Sequence, residues 1–231
     1  MSDEERLALQ QGPKLQQRRA KWTREKILNA AGELFEERGF LGTSIGDIIK
    51  RAGVTKGAFT YHFASKQQVA AAIQESAVAL DGVDQDLEIM LQVMVDVGMV
   101  LAYRLLDEPF LRAATRLSLE FEAKKNYRTP WADWIQINTD QLNEAKRRGE
   151  LLPSVDVSAI ARQIAGQWCG IVLIAHALDD SLERVEEMVA QMYDMLMESI
   201  AFPVIKREID FSPDRGRRLY RAYLERASQA E

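Results

Sequence analysis

Residues 43–66, TSIGDIIKRAGVTKGAFTYHFASK, constrain this chain more than any other stretch. Thr43 or Ser44 is placed to start a helix, with Asp47 positioned to bond back to the cap, and Ile45, Ile48, Ile49 and Ala52 fall on one buried face. Gly53 stops that helix, because glycine takes the left-handed backbone of a C-terminal cap without strain. Thr55 then caps a second helix, in which Phe59 and Phe63 face inward and Lys56, Gly57, Thr60 and Tyr61 are left outward. Two short helices crossing steeply at a glycine, the second with a small polar leading edge, match a helix-turn-helix, whose second helix lies in the major groove of DNA.

Charge distribution agrees with that placement. The 231-residue chain has a net charge of -5, which argues against a general affinity for polyanions. From Arg6 to Gln74, however, twelve Lys and Arg face five Asp and Glu, so a local excess of seven positive charges sits on an otherwise acidic chain. A basic head on an acidic body suits a protein in which one end meets phosphates. Arg18, Arg19 and Lys21 precede the first helix, as either a basic arm toward backbone phosphate or a solvated leader.

Almost everything outside the turns reads as helix, so the fold class is all-α. Residues 1–20 form a flexible polar leader, and 21–81 form a three-helix helix-turn-helix head carried by a first helix from Thr23 to Arg38 that Gly39 stops. Ser65 and Gln68 form a capping box for a following helix, whose basic start at Lys66 suits a phosphate. Gly82 marks the joint to a larger helical bundle, 82–203, for ligand binding and dimerisation. There, one apolar stripe runs from Val83 to Leu106, a further helix spans about 110–121, and residues 123–129 read as a loop. Pro130, Asp156 and the Asp180/Glu183 pair open the next three helices, the last closed by Pro203. Residues 204–231 hold a short basic helix begun at Ser212 and Pro213, whose arginines are expected on a solvated face more readily than on DNA.

The run from Thr23 through Lys66 resembles the DNA-binding domain of the TetR family of bacterial repressors. The resemblance spans about residues 20–80 without a gap and joins the hydrophobic pattern to Gly39, Gly53, Val54, Lys56, Gly57, Phe63, Ser65 and Lys66 in order. The family usually has an aromatic residue, most often Tyr, where this chain has Thr60. Lys56, Thr60 and Tyr61 are the expected groove contacts, with Gly57 allowing close approach. Thr43, Ser44, Thr55, His62 and Lys66 are expected at the DNA backbone, with a bracing role inside the head as the alternative for His62.

The segment 129–166 resembles the matching part of the γ-butyrolactone autoregulator receptors, a TetR branch. In that branch a tryptophan in a PYxxW-like pattern lines the ligand pocket; Trp134 stands at that place here, and Trp131 replaces the tyrosine. Gln163, Gln167 and His176 are candidates for polar contacts to a lactone or hydroxyl. Surplus apolar surface on the last two long helices, with Ile171, Ile174, Val185, Met188, Met192 and Met195, is expected to pair with its copy in a homodimer. The implied function is a repressor that binds double-stranded operator DNA and is released by a small, mainly apolar effector. The alternatives are a TetR-type regulator of an efflux or catabolic gene and a ligand-independent pseudo-receptor.

Other chemistries find little material. Gly42-Thr43-Ser44-Ile45-Gly46 fits GxSxG, but a nucleophile elbow needs a preceding strand and a helix end lies there, so no enzyme is expected. Two histidines and one cysteine, far apart, leave no expected metal site or cofactor. Cys169 lies among apolar residues without an adjacent base and reads as an inert core thiol. One cysteine permits no internal disulfide, the N-terminus is acidic and polar, and the apolar run Trp168–Leu178 is about half of a membrane span, which together suggest a cytoplasmic chain without a membrane partner.

Overall fold

The computed structural model describes residues 3–77, 80–119, 130–178 and 183–229, and the side chains among them other than those of 3–17, 106–107, 119, 176 and 183. The loop expected at 123–129, the Asp180 cap and the His176 side chain therefore lie outside the described residues. Eleven helices are described: α1 Asp3–Arg38, α2 Ile45–Ala52, α3 Lys56–His62, α4 Lys66–Ser76, α5 Met90–Asp107, α6 Pro109–Leu119, α7 Trp131–Arg147, α8 Val157–Ala177, α9 Glu183–Ile200, α10 Pro203–Lys206 and α11 Arg215–Gln229. The only β pairing among the described residues is an isolated bridge between Leu151 and Ala201. The chain divides into two compact units, one holding α1–α4 and α6, the other α5 and α7–α11.

In the first unit α1 is longer than expected. Helix continues back to Asp3, through the segment read as a flexible leader and across Gly12 and Pro13, with Glu, Leu, Ala, Gln, Lys and Arg, which favour helix, making up most of the rest. Its inner face buries Ile27, Ala31, Leu34 and Phe35 against Phe40, Ile48, Phe59, Phe63 and Ile73. Gly32 is where α6 crosses: a Cβ there would lie 2.9 Å from the Phe110 Cα, so only glycine admits this approach. Gln74, buried, donates to the Ala114 carbonyl at 3.2 Å and accepts from Ser118, tying α4 to α6. By packing, α6 thus groups with the head, although its sequence position lies beyond the expected Gly82 joint.

The second unit departs from its sequence reading at residues 83–89, which are not helical. Asp84 accepts from the Asp86 N–H at 3.0 Å, a local turn that competes with helix. Helix α5 begins only at Met90, where the buried Glu150 carboxylate accepts the Met90 and Leu91 N–H groups, each at 2.9 Å. Arg148 holds the preceding carbonyls of Leu87 and Glu88. Nothing within residues 83–106 signals this start, because the cap arrives from sixty residues away.

The C-terminal helix is likewise not a solvated appendage. Gly216 of α11 is buried against α5, where an added Cβ would sit 2.1 Å from the Met99 carbonyl oxygen. Arg215 beside it makes a two-point ion pair with Asp96, at 2.5 and 2.8 Å, and Asp96 is 1% exposed. Arg217 pairs with buried Glu186 of α9, and the Tyr220 hydroxyl donates to Glu108. The Asp210 carboxyl opposes its partial burial with hydrogen bonds from Ser212 and guanidinium contacts from Arg215 and Arg218, and these hold it well below the usual carboxylate range.

Two outcomes follow from this docking. Gly216→Ala, which forces α11 away from α5, is expected to lower unfolding free energy by about 1–3 kcal/mol in a denaturant titration, whereas Arg226→Ala on the exposed side of the same helix stays within about 0.5 kcal/mol. Because the folded pKa of Asp210 is depressed, its contribution is present above the unfolded carboxyl pKa of about 3.9 and is lost as pH falls below it. Thermal melts between about pH 4 and 2 should fall more steeply for the wild type than for Asp210→Asn.

Candidate nucleic-acid interface and effector cavity

The caps of the 43–66 segment form as expected, while of the four apolar residues of α2 only Ile48 and Ala52 are buried and Ile45 and Ile49 are half-buried. Ser44 caps α2: its hydroxyl accepts the Asp47 N–H at 3.1 Å while the Asp47 carboxylate accepts the Ser44 N–H at 3.0 Å, and this pairing lowers the Asp47 pKa. Gly53 takes φ +63°, the left-handed cap. Thr55 caps α3 by accepting the Ala58 N–H at 3.1 Å. Phe59 and Phe63 are buried, and Lys56, Gly57, Thr60 and Tyr61 are exposed, Tyr61 at 79%. A Cβ added at Gly57 would meet only the Thr55 hydroxyl, at 3.9 Å, an ordinary contact. His62 is half-buried with its ring edge-on to Tyr61 at 4.9 Å. The Thr60 hydroxyl donates to its own helix, to the Lys56 carbonyl at 2.6 Å.

Two residues expected at the DNA backbone are turned inward instead. Thr43 is 2% exposed; its hydroxyl donates to the Gly39 carbonyl at 2.9 Å, with the Leu34 carbonyl 3.2 Å away, and so locks the end of α1. The Lys66 ammonium donates to the carbonyls of Phe40 and Thr43, both at 2.6 Å, and lies 4.2 Å from the Phe40 ring centroid. A basic residue opening a helix reads as a phosphate ligand in sequence; here its ammonium staples α4 to the α1–α2 turn through two backbone carbonyls. Gln68 also reaches one residue further than a capping box requires, accepting the Ala64 N–H at 2.8 Å.

In the larger unit, Trp134 and Trp131 are half-buried on α7. Trp134 lines an internal void with Val97, Val100, Leu101, Arg104 and Asp81, but the cavity is only about 10 Å³, room for roughly one water. Arg104 is held there by a two-point pair with Glu108, and burial plus the hydrogen bond to Glu108 push the Tyr220 phenol up to about 12. Gln163 and Gln167 correct the sequence reading: both are exposed on α8, because the buried stripe of that helix runs through Ala161, Ile164 and Trp168. Trp168 donates its indole N–H to the Gly98 carbonyl at 3.3 Å. Burial pushes the Cys169 thiol up, away from the reactive thiolate.

A residue the sequence reading missed is Gln141, on the same face of α7 as Trp134 and two turns further along. It is 8% exposed, and neither its amide nitrogen nor its amide oxygen has a protein partner. A buried amide of this kind costs about 1–3 kcal/mol until something pairs it. Only burial could have singled it out, since glutamine in a helix is otherwise unremarked.

The expected dimer residues fall into two sets. Ile174 and Met195 are 52% and 70% exposed, and Ile171 and Met188 are half-buried. Val185 and Met192 are buried within the protomer, so the apolar stripe of α9 divides into an inner and an outer row that periodicity alone does not separate. Leu173 and Leu178, 47% and 68% exposed, join the outer set.

A capped helix-turn-helix with an exposed second helix, joined in sequence to a separate all-helical unit, has the form of a DNA-binding regulator. Residues 27–73 match the family described as bacterial regulatory proteins, tetR family, and residues 85–202 match the tetracyclin repressor-like C-terminal domain. The chain is 35% identical to the A-factor receptor protein of Streptomyces griseus over 189 residues, 81% of this chain and 67% of that one. Among solved structures, full-length native TylP, a TetR regulator from Streptomyces fradiae, matches with a TM-score of 0.82 at 35% identity, covering 89% of this chain and 99% of that chain. A γ-butyrolactone receptor (ArpA-like protein) matches with a TM-score of 0.68 at 29% identity, covering 88% and 99%. The chain belongs to the TetR family and is a DNA-binding transcriptional regulator close to the γ-butyrolactone receptors.

The two basic residues flanking the reading helix should separate cleanly. Lys56→Ala is expected to weaken DNA binding with an unchanged melting temperature. Lys66→Ala should lower unfolding free energy by about 1–3 kcal/mol, because it removes two charge-assisted hydrogen bonds that tie α4 to the α1–α2 turn; paired thermal melts and gel shifts distinguish them.

Proposed function

We propose that this regulator is a homodimeric repressor that leaves a pseudo-palindromic operator when a small, mainly apolar effector of the γ-butyrolactone type enters the larger unit. The observation that carries the reading is the likeness to the A-factor receptor over 81% of this chain, with Trp134 bordering the void on α7. Reading residues on this view are Lys56, Gly57, Thr60 and Tyr61, with Ser44, Thr55 and His62 at the backbone. The outer rows of α8 and α9, with Ile174, Leu178 and Met195, form the dimer face. That face also accounts for the composition of α8, whose window Val157–Ala175 is long and apolar enough to cross a membrane yet is only 22% buried within the protomer. Operator reading places this function in the cytoplasm.

The mechanism is one of linkage. Two recognition helices enter successive major grooves only at a separation of about 34–36 Å or a multiple of it. An effector that binds better to a body conformation with another spacing lowers DNA affinity, and DNA lowers effector affinity by the same factor. Shifting the population from 1:99 to 99:1 takes about 5.5 kcal/mol of differential binding. Because the void at Trp134 is about 10 Å³, this reading requires the apolar wall of Val97, Val100 and Leu101 to move as the effector enters. The same small void favours a second reading, a ligand-independent regulator whose pocket has closed.

Gel shifts on the protein's own upstream DNA, with and without a synthetic γ-butyrolactone, decide between them. Release by the lactone in the wild type and no release in Trp134→Ala, with DNA affinity kept, supports the first reading. DNA binding that neither the lactone nor culture extracts disturb supports the second. Met195→Asp with Leu178→Asp should halve the mass in solution, and an unchanged mass would place the dimer face elsewhere.

A further inference from the structure

We infer that the segment of α1 around Arg18, Arg19 and Lys21 is a second DNA contact, gripping the phosphate backbone beside the recognition helix. The inference rests on DNA binding by the head and is independent of any effector. It starts from a shortage. A head that binds duplex DNA must neutralise phosphates, yet many of its cations already have partners. Arg51 pairs with Glu33 and Glu37 at 2.8 and 3.1 Å, and Lys66 serves backbone carbonyls. Arg112 pairs with Glu36, and Arg116 donates to the Glu36 carbonyl. Arg38 lies 3.7 Å from Glu37. On α2 and α3 this leaves Lys50 and Lys56 as exposed cations without a described ion pair.

The missing charge lies on α1. Arg18, Arg19 and Lys21 are all exposed, and the one acid described beside them is Glu25, 4.0 Å from Lys21, in a pair whose side chains are 82% and 53% exposed. Such an exposed pair holds its lysine weakly. The fold places this cluster next to the reading helix: the Arg24 guanidinium lies 5.4 Å from the centroid of Phe63, the C-cap of α3. Residues 18–21 are one to two turns further toward the N-terminus, about 4.5–9 Å beyond Arg24 along the axis. They thus lie within two turns of the α1 residue that touches the C-cap of α3, the helix that bears exposed Tyr61. Because α1 is helical through this segment rather than a loose leader, the cations are held in place, and their binding loses less conformational freedom.

The test needs no known operator. Anisotropy titrations of the full-length protein on an arbitrary-sequence duplex of about 30 base pairs, over about 50–300 mM KCl, give the slope of log affinity against log salt. Relative to wild type, Arg18→Gln/Arg19→Gln/Lys21→Gln should make the slope shallower by about 0.9 for each phosphate no longer neutralised, up to about 2.7 per subunit, and weaken low-salt binding at least tenfold. Arg18→Lys/Arg19→Lys, which keeps the charges, should retain the wild-type slope, and this separates charge from any loss of helix. A steep wild-type slope that the triple substitution leaves unchanged overturns the inference alone. A wild type that does not bind the duplex at any salt overturns the DNA-binding head with it.

Discussion

The buried carboxylate of Glu150 holds the start of α5, and much of the larger unit depends on where α5 begins. With both oxygens accepting backbone N–H groups at 2.9 Å, one side chain satisfies two of the donors that any helix N-terminus leaves unpaired. The negative charge also sits at the positive end of the helix dipole. Once α5 is set in this register, Gly98 faces Tyr193 and Trp168, Val97 and Leu101 face Trp134, and Met99 receives Gly216. The Glu150 carbonyl in turn accepts the Phe202 N–H at 3.0 Å, so the same residue joins the starts of α5 and α10.

The head is organised differently, by local caps around an aromatic core. Phe35, Phe40, Phe59 and Phe63 are almost fully buried, and the inward stripe of α3 consists of only two of them. Seven residues cannot make a stable helix alone, so α3 exists because its phenylalanines pack while Thr55 and Phe63 close its ends. That economy leaves the outer surface of α3 free for DNA. Cations were drawn into the scaffold at Arg51 and Lys66, where holding α1, α2 and α4 together matters more than meeting phosphate.

In the larger unit the physical tension lies between a packed core and a ligand. Arg104, paired with Glu108, lines a void of about 10 Å³ together with Trp134 and the apolar Val97, Val100 and Leu101. Gln141, buried and without a protein partner, is a second polar group whose pairing the fold leaves open. Apolar walls with a few such groups are what small-molecule sites are made of.

Much of the head was legible from residue order. The Ser44–Asp47 box, Gly53 at positive φ, the Thr55 cap and the inward phenylalanines follow from local stereochemistry that needs no neighbours. The all-α class was legible for the same reason, because helical periodicity and stop signals are short-range. What the sequence did not reveal came from groups distant along the chain. Lys66 reads as a phosphate ligand until the Phe40 and Thr43 carbonyls arrive beside it. The basic C-terminal helix reads as solvated until Asp96 and Glu186 supply buried partners, and Val185 and Met192 look like the outer row until α9 packs. Sequence by itself determined the capped reading helix and the helical class. Only the tertiary structure decided which cations stay free, where α5 begins and which apolar row is left uncovered, since each depends on charges and backbone groups that meet only after folding.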